Sequence, residues 1–147
     1  MKTILALAAL SILTVSSVFA SDLLSKEITV YKNPDCGWCN KWIEYLESYN
    51  YKVTKKNTRD VHGIKRKLGI PPNLSACHTA VIDGYVIEGH VPERDIQKLL
   101  LFRPKIKGIA ASGMPIGSPG MERGDDHEAY KVMSFDENGN TKVFAEH

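Results

Sequence analysis

The chain has 147 residues, a formal net charge of +2 and three cysteines. A charge this close to neutral leaves no basic footprint for nucleic acid or for an anionic membrane surface, and three cysteines are too few for a disulfide scaffold. The length suits one domain with a hydrophobic core of its own.

Residues 1–20 read as an export signal rather than as part of the fold. Lys2 supplies the charge, Ile4 to Val18 form an apolar stretch relieved only by Ser and Thr, and Val18-Phe19-Ala20 has the small-x-small cleavage pattern. The run is shorter than the roughly 20 apolar residues that a membrane span needs. Cleavage after Ala20 would leave residues 21–147 as the mature domain. No cysteine follows the cleavage site to carry a lipid anchor, so the expectation is a protein exported to a bacterial periplasm without stable membrane insertion. Disulfides persist in that compartment, and an odd cysteine left over there needs a reason.

In the mature part, strand and helix periods alternate. Ile28 and Val30 mark an extended run over 27–31, which Asn33-Pro34-Asp35 ends. Cys36-Gly37-Trp38-Cys39 then opens a helix whose apolar positions are Trp42, Ile43, Leu46 and Tyr49, with Asn50 as the stop. Residues 51–55 alternate as a short strand. Asp60 can cap a helix carrying Ile64 and Leu68, which Gly69-Ile70-Pro71-Pro72 terminates. The runs 79–82 and 85–88 flank Asp83-Gly84, the signal of a two-residue hairpin turn. A third helix follows from Pro92 through Ile96, Leu99 and Leu100 and closes at Arg103-Pro104. Residues 113–122 hold too much Gly and Pro for a regular element and carry Met114 and Met121. Residues 130–135 and 141–144 predict a final hairpin, with Met133 in the core.

The Cys36/Cys39 pair is the first chemical signal. A helix N-terminus offers free N–H groups and a partial positive charge, so a thiol there ionises more readily and becomes a better nucleophile and soft-metal ligand. Two thiols three apart can close a disulfide or bind one metal. As a purely stabilising device the pair would be poor, because its small ring constrains the unfolded chain little.

The order βαβα, hairpin, α, with Cys-x-x-Cys at the start of the first helix, resembles the thioredoxin fold. Thioredoxins place a cis-proline in the segment entering the third strand. Here that stretch is Ser75-Ala76-Cys77-His78-Thr79, so the resemblance implies that Cys77 faces Cys36 and Cys39 across a shared site, a ligand cage rather than a peptide-receiving edge. In an extended segment His78 would point to the face opposite Cys77; its ligation stays open. His90, in Gly89-His90-Val91-Pro92, reads as a turn residue or a ligand. His62 reads as a solvated helical residue, Asp125-Asp126-His127-Glu128 as a polar surface loop, and His147 as a mobile terminus.

Thiolate, thioether and imidazole together select Cu(I) over oxygen-seeking cations. Zinc sites normally bring a second pair of ligands at short spacing, haem attachment needs His where Asn40 stands, and iron–sulfur ligation usually needs a fourth cysteine. Copper fits best.

Several motifs extend this reading: Tyr31-Lys-Asn-Pro-Asp-Cys36 with Trp42, Gly69-Ile-Pro-Pro72, Cys77-His78-Thr79-Ala80, residues 84–92, and Gly113-Met114-Pro115 through Met121-Glu122. Across nearly the whole mature chain they resemble the CopG family of periplasmic copper-resistance proteins. The resemblance implies a thioredoxin-like domain that binds copper through Cys36, Cys39, Cys77 and Met114, with His78 and Met121 as further candidates. It also implies interconversion of Cu(I) and Cu(II), and exchange with other periplasmic copper-handling proteins. Many members have Cys-x-Cys-Cys where this chain has Trp38, which favours a site of lower nuclearity. Two alternatives remain at this stage: a thiol–disulfide oxidoreductase in which Cys36 attacks and Cys39 resolves, and an inert disulfide-bonded binding module.

Overall fold

The computed structural model describes residues 26–147. The proposed signal segment and its cleavage site lie outside the described residues. Among the described residues, seven strands form a single sheet with three helices packed on it. In chain order the elements are β1 (Glu27–Lys32), α1 (Gly37–Ser48), β2 (Lys52–Asn57), α2 (Val61–Lys67), a 3-10 turn (Pro72–Leu74), β3 (Thr79–Ile82), β4 (Tyr85–Gly89), α3 (Glu93–Phe102), β5 (Gly108–Ala111), β6 (Lys131–Phe135) and β7 (Thr141–Glu146). The strands lie side by side as β2-β1-β3-β4-β5-β6-β7. β1 runs parallel to β2, β4 runs parallel to β5, and the other neighbours are antiparallel. No helix among the described residues is long and apolar enough to cross a membrane.

Helix α1 buries Trp42, Ile43 and Leu46 as the sequence predicts, with Cys39 added one turn earlier to make a stripe at i, i+3, i+4, i+7; Tyr49, expected on that stripe, is instead the exposed C-cap residue, because the helix ends at Ser48. Together with Ile96, Leu99 and Leu100 of α3 and alternate residues of the strands (Val30, Ala80, Ile87, Ile109), they make the main core. Ile70, Leu74, Val86, Ala110 and Phe135 form a second cluster. Every residue of β4 is buried, as a central strand covered on both faces requires. The edge strand β2 carries Lys52, Lys55 and Lys56 and is largely exposed, which discourages further strand pairing.

Two elements of the fold, α2 and β5, depart from the sequence expectation. Asp60 does cap α2, accepting from the Gly63 N–H at 2.8 Å, but the buried positions of that helix are Val61, Gly63 and Lys65, while Ile64 and Leu68 are only half-buried. The reason is an ion pair. Lys65 Nζ lies 2.5 Å from Glu88 Oε1, with the two side chains 6% and 0% exposed. The second departure is β5, a four-residue strand in a stretch without alternating polarity. It exists because β4 and β6 supply hydrogen bonds on both sides, and at Gly108 a Cβ would stand 2.1 Å from the Val86 carbonyl oxygen. Through β5 the C-terminal hairpin joins the main sheet.

Glu88 also accepts from Thr79 Oγ1 at 2.6 Å and from the Ala76 N–H at 2.6 Å, and Lys65 donates to Thr79 Oγ1 at 2.9 Å. Removing one member of such a buried pair strands the other. Glu88→Ala should therefore lower the unfolding free energy by about 3–5 kcal/mol in urea melts, with the paired replacement Lys65→Met/Glu88→Leu costing less. A single substitution as mild as a surface change would contradict this account of the network.

Candidate metal centre

Three segments converge at the end of the sheet where β1 runs into α1. Cys36 is the N-cap residue of α1, and its sulfur accepts from the Cys39 N–H at 3.3 Å. The helix thus begins on a sulfur because no Ser, Thr or Asp occupies that position. Cys36 and Cys39 form a disulfide with Cα atoms 5.4 Å apart, and Cys77 is free. Cys39 is fully buried; Cys36 and Cys77 are partly exposed. The sulfurs of Cys36, Cys39 and Cys77 all lie within 4.8 Å of one another.

A second set shares Cys77. His78 Nδ1 and His90 Nε2 each stand 3.2 Å from the Cys77 sulfur, and ligand atoms of Cys77, His78 and His90 also lie within 4.8 Å of one another. Sequence reasoning sends His78 to the opposite face on the premise of an extended segment. The chain instead bends at Cys77, between the isolated bridge Ala76–Gly113 and the start of β3, so neighbouring side chains meet. The His78 ring packs on Trp42 at a centroid distance of 4.5 Å and edge-on to His90 at 5.0 Å. Trp42 in turn donates its indole N–H to the Val91 carbonyl at 2.9 Å, which ties the helix to the turn that carries His90.

His90 is thus more than a turn residue. It is fully buried, and its Nδ1 lies 2.8 Å from the Pro119 carbonyl oxygen. A carbonyl only accepts, so Nδ1 carries the proton and Nε2 presents its lone pair to Cys77. Gly89 makes this approach possible: at φ +73° it takes a left-handed conformation, and a Cβ there would lie 2.3 Å from the Ala111 oxygen and 2.6 Å from the Ala76 Cβ.

The Gly/Pro loop closes over the same corner. Gly113 donates to the Ser75 carbonyl, which sets Met114 beside the Cys77 segment; its side chain is 48% exposed. Gly120, at φ +83°, presses against the backbone of α1, where a Cβ would meet the Trp42 nitrogen at 2.7 Å. Met121, next to it, is buried. Met133 is half-buried against the second cluster. His62 and residues 125–128 are exposed. His147, expected to be mobile, is held instead: its Nε2 is 2.7 Å from Asp95 Oδ2, and its ring stacks on Tyr130 at 4.9 Å. Lys65 and Glu88, which organise the Cys77 segment from below, escaped the sequence reading; their signal was a carboxylate inside the otherwise apolar strand 85–88.

Burial dominates the electrostatics. It pushes the Cys77 thiol up to about 11, opposed by its own and the His78 backbone and by Lys65. It also drives both imidazoles below their ordinary value, His78 with further help from the His90 and Lys65 charges, His90 against the opposing pull of the Pro119 carbonyl and Glu122. At neutral pH the set is therefore a thiol facing two neutral imidazoles, donors that a metal can claim by displacing one proton.

A family described as "Protein of unknown function, DUF411" matches residues 74–121, the span from the 3-10 turn through the Met loop. Two solved structures named copper resistance protein CopG, forms 2 and 1, are similar to the chain at 45% identity. They cover 82% of it and 97% and 96% of their own chains, with TM-scores of 0.79 and 0.78. No curated protein matches the chain.

Two outcomes test the electrostatics. With the disulfide closed, alkylation of Cys77 at pH 8 should run roughly 100-fold slower than that of a solvent-exposed cysteine and keep rising towards pH 11, because only the thiolate reacts; a mass-spectrometric rate that levels off by pH 9 would rule this out. For the imidazoles, both folded values lie below the unfolded one, so the unfolded chain takes up protons first as the pH falls. Stability should be fully present above about pH 6.5 and decline below it, and His90→Gln should shrink that decline. Urea midpoints measured from pH 7.5 to 5 check the sign.

Proposed function

Because the chain belongs to the family of the copper resistance protein CopG, we propose that it is a copper-binding protein of copper resistance, holding Cu(I) through Cys36, Cys39 and Cys77 when reduced. The observation that carries this reading is the convergence of three sulfurs within 4.8 Å from two distant parts of the chain, at the N-terminus of α1. Three thiolates make a soft, low-coordinate set that suits Cu(I). Met114, exposed beside Cys77, is the exchangeable fourth donor, and His78 and Met121 complete the candidate set.

We read the arrangement β2-β1-β3-β4 with α1 following β1 as thioredoxin-like. A periplasmic location after removal of residues 1–20 fits the open-ended thiol chemistry, since disulfides persist there. Copper arrives as substrate and leaves to other periplasmic copper-handling proteins. As a copper oxidoreductase, the Cys36/Cys39 dithiol passes one electron to each of two Cu(II) ions, releasing two protons and leaving the disulfide; reduction of that disulfide by an outside dithiol restores it. The competing reading, a general thiol–disulfide oxidoreductase, is favoured only by the partial exposure of Cys36.

Competition with a Cu(I)-specific chelator on the anaerobically reduced protein should show Cu(I) held far more tightly than Zn(II), and Cys77→Ser should weaken it at least about tenfold, as loss of a direct ligand must exceed loss of a supporting contact. Met114→Ala should lower the copper reduction potential, since a thioether favours Cu(I), while leaving reduction of a plain disulfide substrate unchanged. Zinc displacing copper, or a Met114 variant impaired in disulfide reduction with normal copper chemistry, would overturn the assignment.

A further inference from the structure

Cys77 belongs to two ligand sets at once, and the disulfide present in the structure disables one of them. A sulfur bonded to another sulfur has lost its thiolate charge, so with Cys36–Cys39 closed the trio keeps a single strong donor. The other set is untouched. We propose that the site is partitioned by redox state, so that closing the Cys36–Cys39 disulfide leaves Cys77, His78 and His90 as a separate one-thiolate, two-imidazole site for Cu(II). The inference rests on the copper reading of the same corner and adds the oxidation state that each form of the protein selects.

Geometry supports it first. Two donors sharing one metal at bond lengths of about 2.0–2.3 Å stand roughly 3.2–3.8 Å apart. His78 Nδ1 and His90 Nε2 each lie 3.2 Å from the Cys77 sulfur. The outer contact of His90 agrees. His90 gives its remaining N–H to the Pro119 carbonyl at 2.8 Å, the arrangement by which metal-ligating histidines are oriented. His78 is fully buried; among the described residues no partner stands at hydrogen-bonding distance from its Nε2, although the Gly89 backbone acts on the ring. Among the described residues, the side-chain hydrogen-bond partner of the His78 ring is the Cys77 sulfur, itself shared with His90.

The donor chemistry then separates the two states. One thiolate with two imidazoles is the core set of copper electron-transfer centres, which accommodate Cu(II), whereas three thiolates favour Cu(I). Binding of Cu(II) to the oxidised protein needs no electron transfer; it displaces the Cys77 thiol proton to solvent. An opened disulfide would recruit Cys77 back to the sulfur trio. Trp42 holds His78 in both cases, because its contacts lie in α1 and the Val91 turn and not in the disulfide.

The test uses the protein purified without reductant, its Cys36–Cys39 disulfide verified by mass spectrometry, and titrated anaerobically with Cu(II). One equivalent should bind with an intense visible sulfur-to-copper charge-transfer band and with nitrogen couplings in the electron paramagnetic resonance spectrum. Cys77→Ser should abolish the band, and His90→Gln should weaken binding about tenfold or more. The double variant Cys36→Ser/Cys39→Ser, which mimics loss of the dithiol without a disulfide, should retain the band. Copper bound with nitrogen and oxygen ligands only, Cu(II) reduced on mixing, or no binding would each overturn the inference, and the wild-type spectrum decides this without any variant. Cu(I) titration of the reduced protein in parallel keeps the two claims apart: Cu(I) binding without the Cu(II)–sulfur band sinks only the partition, whereas the band without Cu(I) binding sinks only the Cu(I) reading.

Discussion

Glu88 sits in the middle strand of the sheet with no solvent to share, so each of its oxygens has to be answered by the protein. Lys65 neutralises it, Thr79 donates to one oxygen, and the Ala76 N–H donates to the other. That last bond fixes the backbone immediately before Cys77. A carboxylate buried without these partners would be untenable, so α2, β3, β4 and the segment leading to Cys77 are locked in one relative position by a single electrostatic requirement. The bend that brings Cys77 and His78 onto the same side follows from this anchoring, and so does the meeting of the two ligand sets.

Around that anchor the corner is assembled from backbone approaches that side chains would forbid. Gly89 lets β4 end against Ala76 and Ala111, which turns His90 inward; Gly120 lets the Met loop lie on the first turns of α1. Trp42 spans the gap between them, holding the Val91 carbonyl with its indole N–H and the His78 ring with its face. The loop is long and without regular structure, yet its ends are tied: Gly113 to Ser75, the Pro119 carbonyl to His90, and Gly120 to the Glu122 carboxylate. Such a loop can present Met114 to solvent while the donors beneath it stay in register.

Desolvation sets the resting state of those donors. The thiol is kept protonated and the imidazoles neutral by the same burial that packs them, so these three donors carry no charge of their own. A cation that enters supplies the missing charge and takes the place of one proton. Cys36 and Cys77 are partly exposed and Met114 is exposed, whereas Cys39, His78 and His90 are buried.

The sequence by itself determined whatever depends on short-range pattern. The apolar positions Trp42, Ile43 and Leu46, the Asp60 cap, the Asp83-Gly84 turn and the final hairpin are local, and their periods and turn residues read directly off the chain. Family resemblance in the sequence likewise pointed to the three cysteines as one group. Tertiary structure alone decided the rest. β5 has no pattern of its own and exists only because strands flank it. Lys65, on helix α2, is buried against the expectation for a lysine because its partner lies 23 residues away in strand β4. His90 and His147 looked like a turn residue and a loose end, and their partners, Pro119 and Asp95, lie 29 and 52 residues distant. Whether His78 could reach Cys77 turned on one bend, and a bend imposed by a buried carboxylate twelve residues further along cannot be seen in the residues that undergo it.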